Sequence, residues 1–288
     1  MVGEYRTGTG RMTFRTRRGS RVALVALSAL VLSACSSTKD EDEFVGDTTP
    51  PAVLFNEGLA LRQEGRLTDA RTKFEQIDKQ HPYSEYSRKA LINLAYLNYS
   101  QGKYAEAITS AKRFTTLYPG SEDSAYALYI IGQSYNKQIP DVTRDQEMTQ
   151  RSLAAFSELV QRYPDSEYAE DARAKIRVAH DQLAGKEMEV GRYYLKRRQY
   201  IAAINRFKVV VTNYQTTRHI EEALYRLTEA YYALGVINEA QTAAAVLGHN
   251  FPDSQWYKDA YSLLKTGGHS PSEDSGSWIS RAFEGISL

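Results

Sequence analysis

The sequence predicts an all-α fold, a solenoid of five helical hairpins followed by a C-terminal capping helix. The first observation is a short phrase that occurs five times in the 288 residues. Each copy has a ring-bearing residue, then Pro, then Ser or Thr two residues after the Pro, and Ala eight residues after it; the fourth copy has Gln215 at the Pro position. The copies begin at His81, Tyr118, Tyr163, Tyr214 and Phe251.

The phrase combines the end of one helix with the start of the next. Pro cannot continue a helix and drives the residue before it into extended conformations. Ser and Thr are favoured helix N-caps, and the Glu or Gln that follows Ser in four copies suits the positive end of a helix. We therefore expect a helix to begin at each copy, capped in turn by Ser84, Ser121, Ser166, Thr217 and Ser254.

The second observation is the spacing of the copies. The Pro positions of the first and second copies are 37 residues apart, as are those of the fourth and fifth. Such a period is typical of stacked helical hairpins. The first of the two longer intervals is explained by an insertion, Lys137–Met148, between the helices of the third hairpin. The second is explained by a long first helix in the fourth hairpin, from about Glu167 towards Arg198. We expect this helix to kink at Gly185, because Gly is a poor helix-interior residue.

The third observation is a set of small residues at fixed places in the phrase. Small residues let two helix backbones approach closely, and Phe fills the space eight residues before three of the Pro positions. The small residues are Ala70, Ala107, Ser152, Ala203 and Ala240, twelve before each Pro position, and Gly58, Ala95, Gly132, Gly191 and Thr228 on the other helix of each hairpin. From Ala52 to about Leu264 the pattern resembles the tetratricopeptide repeat, whose usual period is about 34 residues.

The amino terminus predicts a lipoprotein signal peptide, residues 1–34. A basic region precedes the apolar run Val22–Leu32, which is too short to span a bilayer. The segment ends in Leu-Ser-Ala before Cys35, the only cysteine, and this resembles a bacterial lipobox, which implies lipidation of Cys35 and anchoring to a membrane. Two alternatives stay open: a spacer with a chance Ser-Ala-Cys, and translation from Met12 rather than Met1.

Residues 35–51 predict a flexible tether, because low hydrophobicity and dense charge do not offset the entropy lost on ordering. Ser36 follows the cysteine where bacterial lipoproteins kept at the inner membrane have Asp. The resemblance therefore implies the periplasmic face of the cell outer membrane.

Charge and motifs exclude other classes of function. Residues 1–34 hold six of the 36 Lys and Arg and one of the 35 Asp and Glu, so residues 35–288 carry a formal net charge of −4. A nucleic-acid binder is usually basic. The five His lack metal-ligand spacing, and no phosphate loop or nucleophile motif occurs. We expect no enzyme, metal or cofactor.

The first three repeats, residues 52–164, predict a groove for polypeptide. In the repeat family, the first helix of each hairpin lines the concave face, and aromatic grooves bind extended or helical peptides. Packing of these Tyr between helices is the alternative. The inward positions that the resemblance implies are Phe55, Arg62, Tyr96, Tyr99, Tyr126, Tyr129 and Asn136.

Repeats four and five, with the cap, occupy residues 165–265 and predict a docking surface. The string VGRYYLKRRQYIAAINRF, Val190–Phe207, together with the lipobox and five repeats, resembles the BamD family of outer-membrane protein assembly lipoproteins. The resemblance implies that the first repeats bind unfolded outer-membrane protein segments. It also implies that the fourth hairpin docks on the periplasmic domain of BamA, and that other Bam lipoproteins bind. The matching positions are Tyr193, Tyr194, Arg197 and Arg206.

Two alternatives accompany this interpretation. The basic residues of the fourth hairpin form a solvated helix face if no partner binds them. A periplasmic repeat lipoprotein that coordinates cell-wall synthesis or division has the same anchor and fold.

Residues 266–288 predict a flexible tail with an amphipathic end. Trp278, Ile279, Ala282, Phe283 and Ile286 lie at helical spacing on one face. An exposed face of this kind indicates a partner groove or a membrane surface. An end helix docked on the chain's own repeats is the alternative.

Overall fold

Residues 49–284 are described by a computed structural model, and the regular elements among them are α-helices. The predicted signal peptide, Cys35 and nearly all of the tether lie outside these residues. The helices are α1 (Pro51–Gln63), α2 (Leu67–Gln80), α3 (Glu85–Ser100), α4 (Tyr104–Leu117), α5 (Ser124–Asn136), α6 (Glu147–Arg162), α7 (Ala169–Lys196), α8 (Tyr200–Asn213), α9 (Ile220–Ala233), α10 (Ile237–Asn250), α11 (Gln255–Thr266) and α12 (Trp278–Phe283).

The predicted solenoid is confirmed. Helices α1 to α10 form five antiparallel hairpins, and α11 packs on α9 and α10 as the predicted cap. Each helix packs on the next, and the first helices of neighbouring hairpins also meet, as α1 does with α3 and α3 with α5. Each hairpin therefore buries its apolar side against its neighbours, as stacked repeats must.

The second helix of every hairpin ends two residues before the Pro position. The ring-bearing residue that follows leaves the helical conformation, with φ between −131° and −135° in all five copies. Tyr214 adopts φ −135° although Gln215 replaces Pro after it, and its ring packs on the core of repeats four and five. The helix end therefore survives without Pro, because burial of the ring also fixes the chain there.

The predicted caps are confirmed in two copies and wrong in three. The hydroxyl oxygens of Ser84 and Ser254 accept backbone N–H groups at 3.2 and 3.1 Å. In the other copies a turn comes first: the carbonyls of Ser121, Ser166 and Thr217 accept the N–H three residues later, at 3.0, 3.0 and 3.2 Å. The helix begins only after that turn, so a hydroxyl at this place in the phrase is not enough to cap it.

Helix α7 has 28 residues, as the long fourth interval predicts. The insertion of the third hairpin lies against it, where Lys186 Nζ donates to the carbonyl of Thr143 at 2.7 Å. Gly185 lies within this continuous helix. A Cβ there would stand 3.3 Å from Val142 and 3.2 Å from His219. Close approach of the insertion and α9 therefore explains this glycine.

Each of three hairpins is closed by a Phe ring on the backbone of a glycine. The rings are fully buried, and a Cβ on the facing glycine would lie 2.4–2.8 Å from the nearest ring atom. Where the Phe position holds Ala111 or Ala244, the facing position holds the larger Ala95 or Thr228. A larger side chain on one helix is therefore matched by a smaller one at the facing position of the other helix. The ring and glycine pairs are Phe74 with Gly58, Phe156 with Gly132, and Phe207 with Gly191.

The tail differs from the predicted flexible segment. Helix α12 packs on α8 and α10 with Ile279 fully buried, and the indole nitrogen of Trp278 donates to the hydroxyl of Tyr231 at 3.1 Å. The ammonium of Lys208 lies 4.7 Å from the centroid of the Trp278 ring. Between residues 266 and 284 the chain is thus a docked end helix, because its apolar side chains find a groove between two second helices.

We predict that Gly132→Ala lowers the free energy of unfolding by about 1–3 kcal/mol, because the new methyl overlaps the ring of Phe156. Inside an uncrowded helix the same change stabilises by about 0.5–1 kcal/mol. Urea denaturation followed by circular dichroism measures the difference. Gly120→Ala is the control, since no atom lies within 4 Å of its added Cβ. Equal unfolding midpoints for the two variants would contradict the packing described.

Candidate functional sites

A cleft of about 560 Å³ lies between the first helices of hairpins one to three. Three of the predicted groove residues line it: Arg62 from α1, Tyr96 from α3 and Tyr126 from α5. Tyr96 is 39 % exposed, which leaves one ring available at the mouth. The remaining lining residues are Leu67, Ile92, Asn93, Ser100 and Asp123.

The guanidinium of Arg62 is held in place at the cleft wall. Its Nη1 donates to Oδ1 of Asn93 at 2.6 Å, and Asn93 in turn donates to the carbonyl of Lys89 at 2.8 Å. The Arg62 Cζ lies 6.0 Å from the centroid of the Tyr96 ring. The cleft therefore presents a fixed cation beside an aromatic ring, which suits a polypeptide carbonyl or carboxylate next to an apolar side chain.

A row of stacked tyrosines extends from the cleft. The ring of Tyr168 lies 5.2 Å from that of Tyr126 and 5.0 Å from that of Tyr129. The Tyr129 hydroxyl donates to Asp171 at 2.8 Å and accepts from Gln133 at 2.7 Å. Burial raises the pKa of Tyr126 and of Tyr168 to about 12. Both phenols are neutral at physiological pH, as an unshifted tyrosine also is, and the raised pKa extends that neutrality to more alkaline solution.

The sequence gives no signal for Tyr168 as a groove residue, because it lies within the recurring phrase, which predicts only a turn.

Three predicted groove residues lie outside this cleft and the row of stacked tyrosines. Phe55 packs between Phe74 and Tyr86, with both ring centroids at 5.6 Å, and belongs to the core of the first repeats. Tyr99 packs on the next core cluster, and Asn136 is the last residue of α5. For Phe55, the alternative of packing between helices describes the structure, whereas Tyr99 is partly buried against the same cluster as Tyr126 and Tyr129.

The tip of the fourth hairpin presents an aromatic and cationic surface. Tyr193 is 51 % exposed, and the guanidinium of Arg197 lies 4.5 Å from the centroid of its ring. Tyr194 makes an edge contact with Tyr193 at 5.5 Å and packs against the core on its other side. Ile201, the second residue of α8, adds an apolar side chain that is 69 % exposed. Tyr and Arg beside an exposed aliphatic group are typical of interface anchors.

Arg206 differs from the other three predicted docking residues. Its Nη1 lies 3.2 Å from the carboxylate of Glu187, so it links α8 to α7 within the chain. Its side chain is 44 % exposed, which makes this a screened surface ion pair of small energetic value. Arg206 is therefore available to a partner only together with, or in exchange for, Glu187.

Arg198 has the left-handed conformation, with φ 60°, at the turn between α7 and α8. Gly65, Gly102 and Gly235 occupy the same turn position in three other hairpins, with φ between 74° and 77°. An L side chain in this conformation costs about 1–2 kcal/mol. The fourth hairpin thus keeps a strained cation at its tip, beside Arg197.

The chain is similar to known proteins over most of its length. The family described as YfiO, outer membrane lipoprotein, matches residues 47–247. The chain is 45 % identical to the outer membrane protein assembly factor BamD of Caulobacter vibrioides, over 90 % of this chain and 84 % of that protein. It is 43 % identical to BamD of Rickettsia prowazekii, over 82 % of this chain and 93 % of that protein. The chain belongs to the BamD family. The matched residues 47–247 extend from before α1 of the first repeat into α10 of the fifth.

Among solved structures, this BamD-family chain is similar to a thermophilic tetratricopeptide repeat protein from Thermus thermophilus. The two are 18 % identical, and the alignment covers 75 % of this chain and 100 % of that chain with a TM-score of 0.34. In the part of the chain that the structure describes, no helix is long and apolar enough to cross a membrane. Within the same residues, no group of three His, Cys, Asp or Glu side chains is arranged to hold a metal ion.

We predict that Arg198→Gly raises the free energy of unfolding by about 0.5–1 kcal/mol, because glycine adopts positive φ without strain. Arg198→Ala is the matched control: it removes the same charge but keeps a Cβ, so we expect no gain. Thermal and urea unfolding of both variants measure the difference. An equal gain in the two would assign the effect to the charge instead of the backbone.

Proposed function

We propose that this protein is a non-enzymatic scaffold and receptor of the outer-membrane β-barrel assembly complex, held at the periplasmic face of the outer membrane by a lipid on Cys35. Membership of the BamD family over most of the chain carries this proposal, since its relatives are named outer membrane protein assembly factors. The cell-wall alternative shares the anchor and the fold, but no observation in the described residues favours it.

The cleft of the first three repeats is the proposed receptor for unfolded outer-membrane protein segments. Such segments have girdles of aromatic side chains at their membrane interfaces and alternate apolar with polar residues along each strand. The exposed Tyr96 ring, the fixed guanidinium of Arg62 and the neutral Tyr126 phenol offer a stacking surface, a cation and a hydrogen-bond donor in one cleft. A chain in extended form satisfies all three at once.

The tip of the fourth hairpin is the proposed docking site for the periplasmic domain of BamA. Tyr193 and Arg197 stack on each other in a position already shaped for contact, so little side-chain entropy is lost on binding. Arg197 has no ion pair within residues 49–284, which leaves its guanidinium ready for a carboxylate of the partner. Other Bam lipoproteins are proposed as further partners of repeats four and five.

For the receptor, we predict that the double variant Tyr96→Ala and Tyr126→Ala reduces crosslinking to an unfolded outer-membrane protein segment by about tenfold, since each stacked ring contributes about 0.5–1.5 kcal/mol beyond its buried area. Photo-crosslinking of a labelled β-strand peptide to the purified full chain measures the yield. Tyr83→Ala is the control, because that ring is fully exposed in a turn outside the cleft. An unchanged yield in the double variant would place the peptide elsewhere.

For docking, we predict that Arg197→Glu weakens binding to the BamA periplasmic domain by about 30-fold, the cost of losing an anchor worth about 2 kcal/mol. Surface plasmon resonance measures the affinity. Arg177→Glu is the control, since Arg177 is exposed on the same helix about 30 Å away along its axis. Equal affinities for the two variants would rule out this tip as the docking site.

Arg206 needs a different experiment because it already pairs with Glu187. Arg206→Glu combined with Glu187→Arg restores the internal ion pair with reversed charges. If BamA binding stays weak in this exchanged pair, Arg206 contacts the partner directly. If the exchange restores wild-type affinity, Arg206 acts only by joining α7 to α8.

A further inference from the structure

A second cavity, of about 360 Å³, opens on the opposite side of the first repeats, between α2, α3 and α4. None of its lining residues belongs to the cleft that contains Arg62 and Tyr96. Its walls come mainly from the second helices of hairpins one and two. The same kind of space between the second helices of hairpins four and five, α8 and α10, is filled by the chain's own α12.

Three of the hydrogen bonds that hold α12 and the residues before it lie around its N-terminus, and the side chain of Gln215 donates a further one to the carbonyl of Ala282. Ser277, its N-cap, donates its hydroxyl to the carboxylate of Glu239 at 2.6 Å. The backbone N–H of Asp274 donates to the hydroxyl oxygen of Thr242 at 3.2 Å. The third is the bond from the Trp278 indole to Tyr231. The groove thus recognises a capped helical turn and the side chain directly after the cap.

The empty cavity holds the counterparts of these three receptors in the same register. The two grooves are offset by 133 residues, which places Glu106 where Glu239 stands, Thr109 where Thr242 stands and Asn98 where Tyr231 stands. All three line the cavity.

Both threonines also have the same local geometry. Each donates its hydroxyl to the carbonyl four residues earlier, at 2.9 Å for Thr109 and 2.8 Å for Thr242, so its oxygen remains able to accept. Glu106 makes no hydrogen bond or ion pair with any residue from 49 to 284.

The intervening grooves do not share this set. At the Glu and Thr positions, the groove between α4 and α6 has Arg151 and Ala154, and the groove between α6 and α8 has Ala202 and Asn205. A Glu and a Thr at these two positions therefore occur both in the groove that α12 fills and in the empty cavity. It is not a requirement of the repeat itself.

The floor of the empty cavity differs in polarity. Ile204, Val211 and Val246 belong with Ile279 to the buried core of repeats four and five, and at the equivalent positions the cavity has Arg71, Asp78 and Arg113. Asp78 is paired with Arg113, and Arg71 donates to Glu75 at 2.8 Å. A Trp or Ile like those of α12 would leave these charges desolvated, so the occupant must be polar at the same places.

Three buried polar atoms of the cavity have no hydrogen-bond partner among residues 49–284. They are Oδ1 of Asn98, Oδ1 of Asp78 and Nε of Arg71, and Asn98 is only 4 % exposed. An unpaired buried polar atom costs about 1–3 kcal/mol. Two acceptors and one donor are complemented by a primary carboxamide, which has two N–H donors and one carbonyl acceptor.

We propose that this cavity is a second polypeptide-binding site, which receives a Ser-capped helical turn of a partner protein with Asn or Gln directly after the cap. The cap hydroxyl donates to Glu106, a backbone N–H before the cap donates to Thr109, and the carboxamide reaches Asn98 on the polar floor. The site is independent of the cleft and of the fourth hairpin.

The test uses a fluorescein-labelled peptide with the sequence of Ser270–Glu284 in which Trp278→Gln and Ile279→Asn make both floor-facing positions polar, titrated against the full chain by fluorescence anisotropy. We expect saturable binding of one peptide per chain, tighter than that of the unsubstituted peptide. We expect Glu106→Gln to weaken it about tenfold and Thr109→Val about fivefold, as the loss of one charged and one neutral hydrogen bond predicts. Thr116→Val is the control, because Thr116 lies on the same helix with a similar bond to the carbonyl of Lys112 and lines no cavity described above.

Each other result overturns the proposal. Absence of binding means that water alone satisfies the three buried atoms. Binding that survives both Glu106→Gln and Thr109→Val, or that is lost in Tyr96→Ala, places the peptide outside this cavity. A change in the protein's own tryptophan fluorescence, to which the peptide does not contribute, means that the peptide has displaced α12. Circular dichroism of each variant separates a lost contact from a lost fold.

Discussion

The arrangement of this protein depends on how closely the two helices of each hairpin can approach. Phe74, Phe156 and Phe207 rest on glycine backbones, and no side chain separates the ring from the facing helix. Interior packing is so dense that one additional methyl group changes the stability of the fold. This contact fixes the distance within a hairpin, and stacking of hairpins then fixes how α1, α3 and α5 line one cleft. The binding surfaces are consequences of a spacing set inside the core.

The repeats share a backbone but use equivalent positions differently. The turn that carries glycine in three hairpins carries Arg198 in the fourth, at a cost in backbone strain, and so adds a cation at an exposed tip. The receptors that hold α12 recur in the first repeats above a floor of ionic residues in place of valine. A solenoid can vary in this way because each repeat contacts only its neighbours, so a local change does not disturb the rest of the fold.

The residues predicted for the two sites lie in different surroundings, and the reason is physical. Tyr96, Tyr193 and Arg197 are exposed, as their helical register indicated, whereas Tyr126 lines the cleft but is partly buried. Phe55 has a register compatible with the groove, but neighbouring Phe74 and Tyr86 offer it a larger apolar surface. Tyr168 lies outside a helix, where periodicity gives no direction, and stacking on Tyr126 and Tyr129 positions it.

The sequence by itself determined the helix ends, the hairpin count and the crossing points. These depend on local properties: Pro and a following turn stop a helix, and small residues at a fixed interval mark where backbones meet. Tertiary structure alone decided which tyrosines face solvent and where the tail rests. Those outcomes depend on contacts between residues distant in sequence, as when Trp278 finds Tyr231. The periodicity of a segment does not indicate whether a distant part of the chain will bury its side chains.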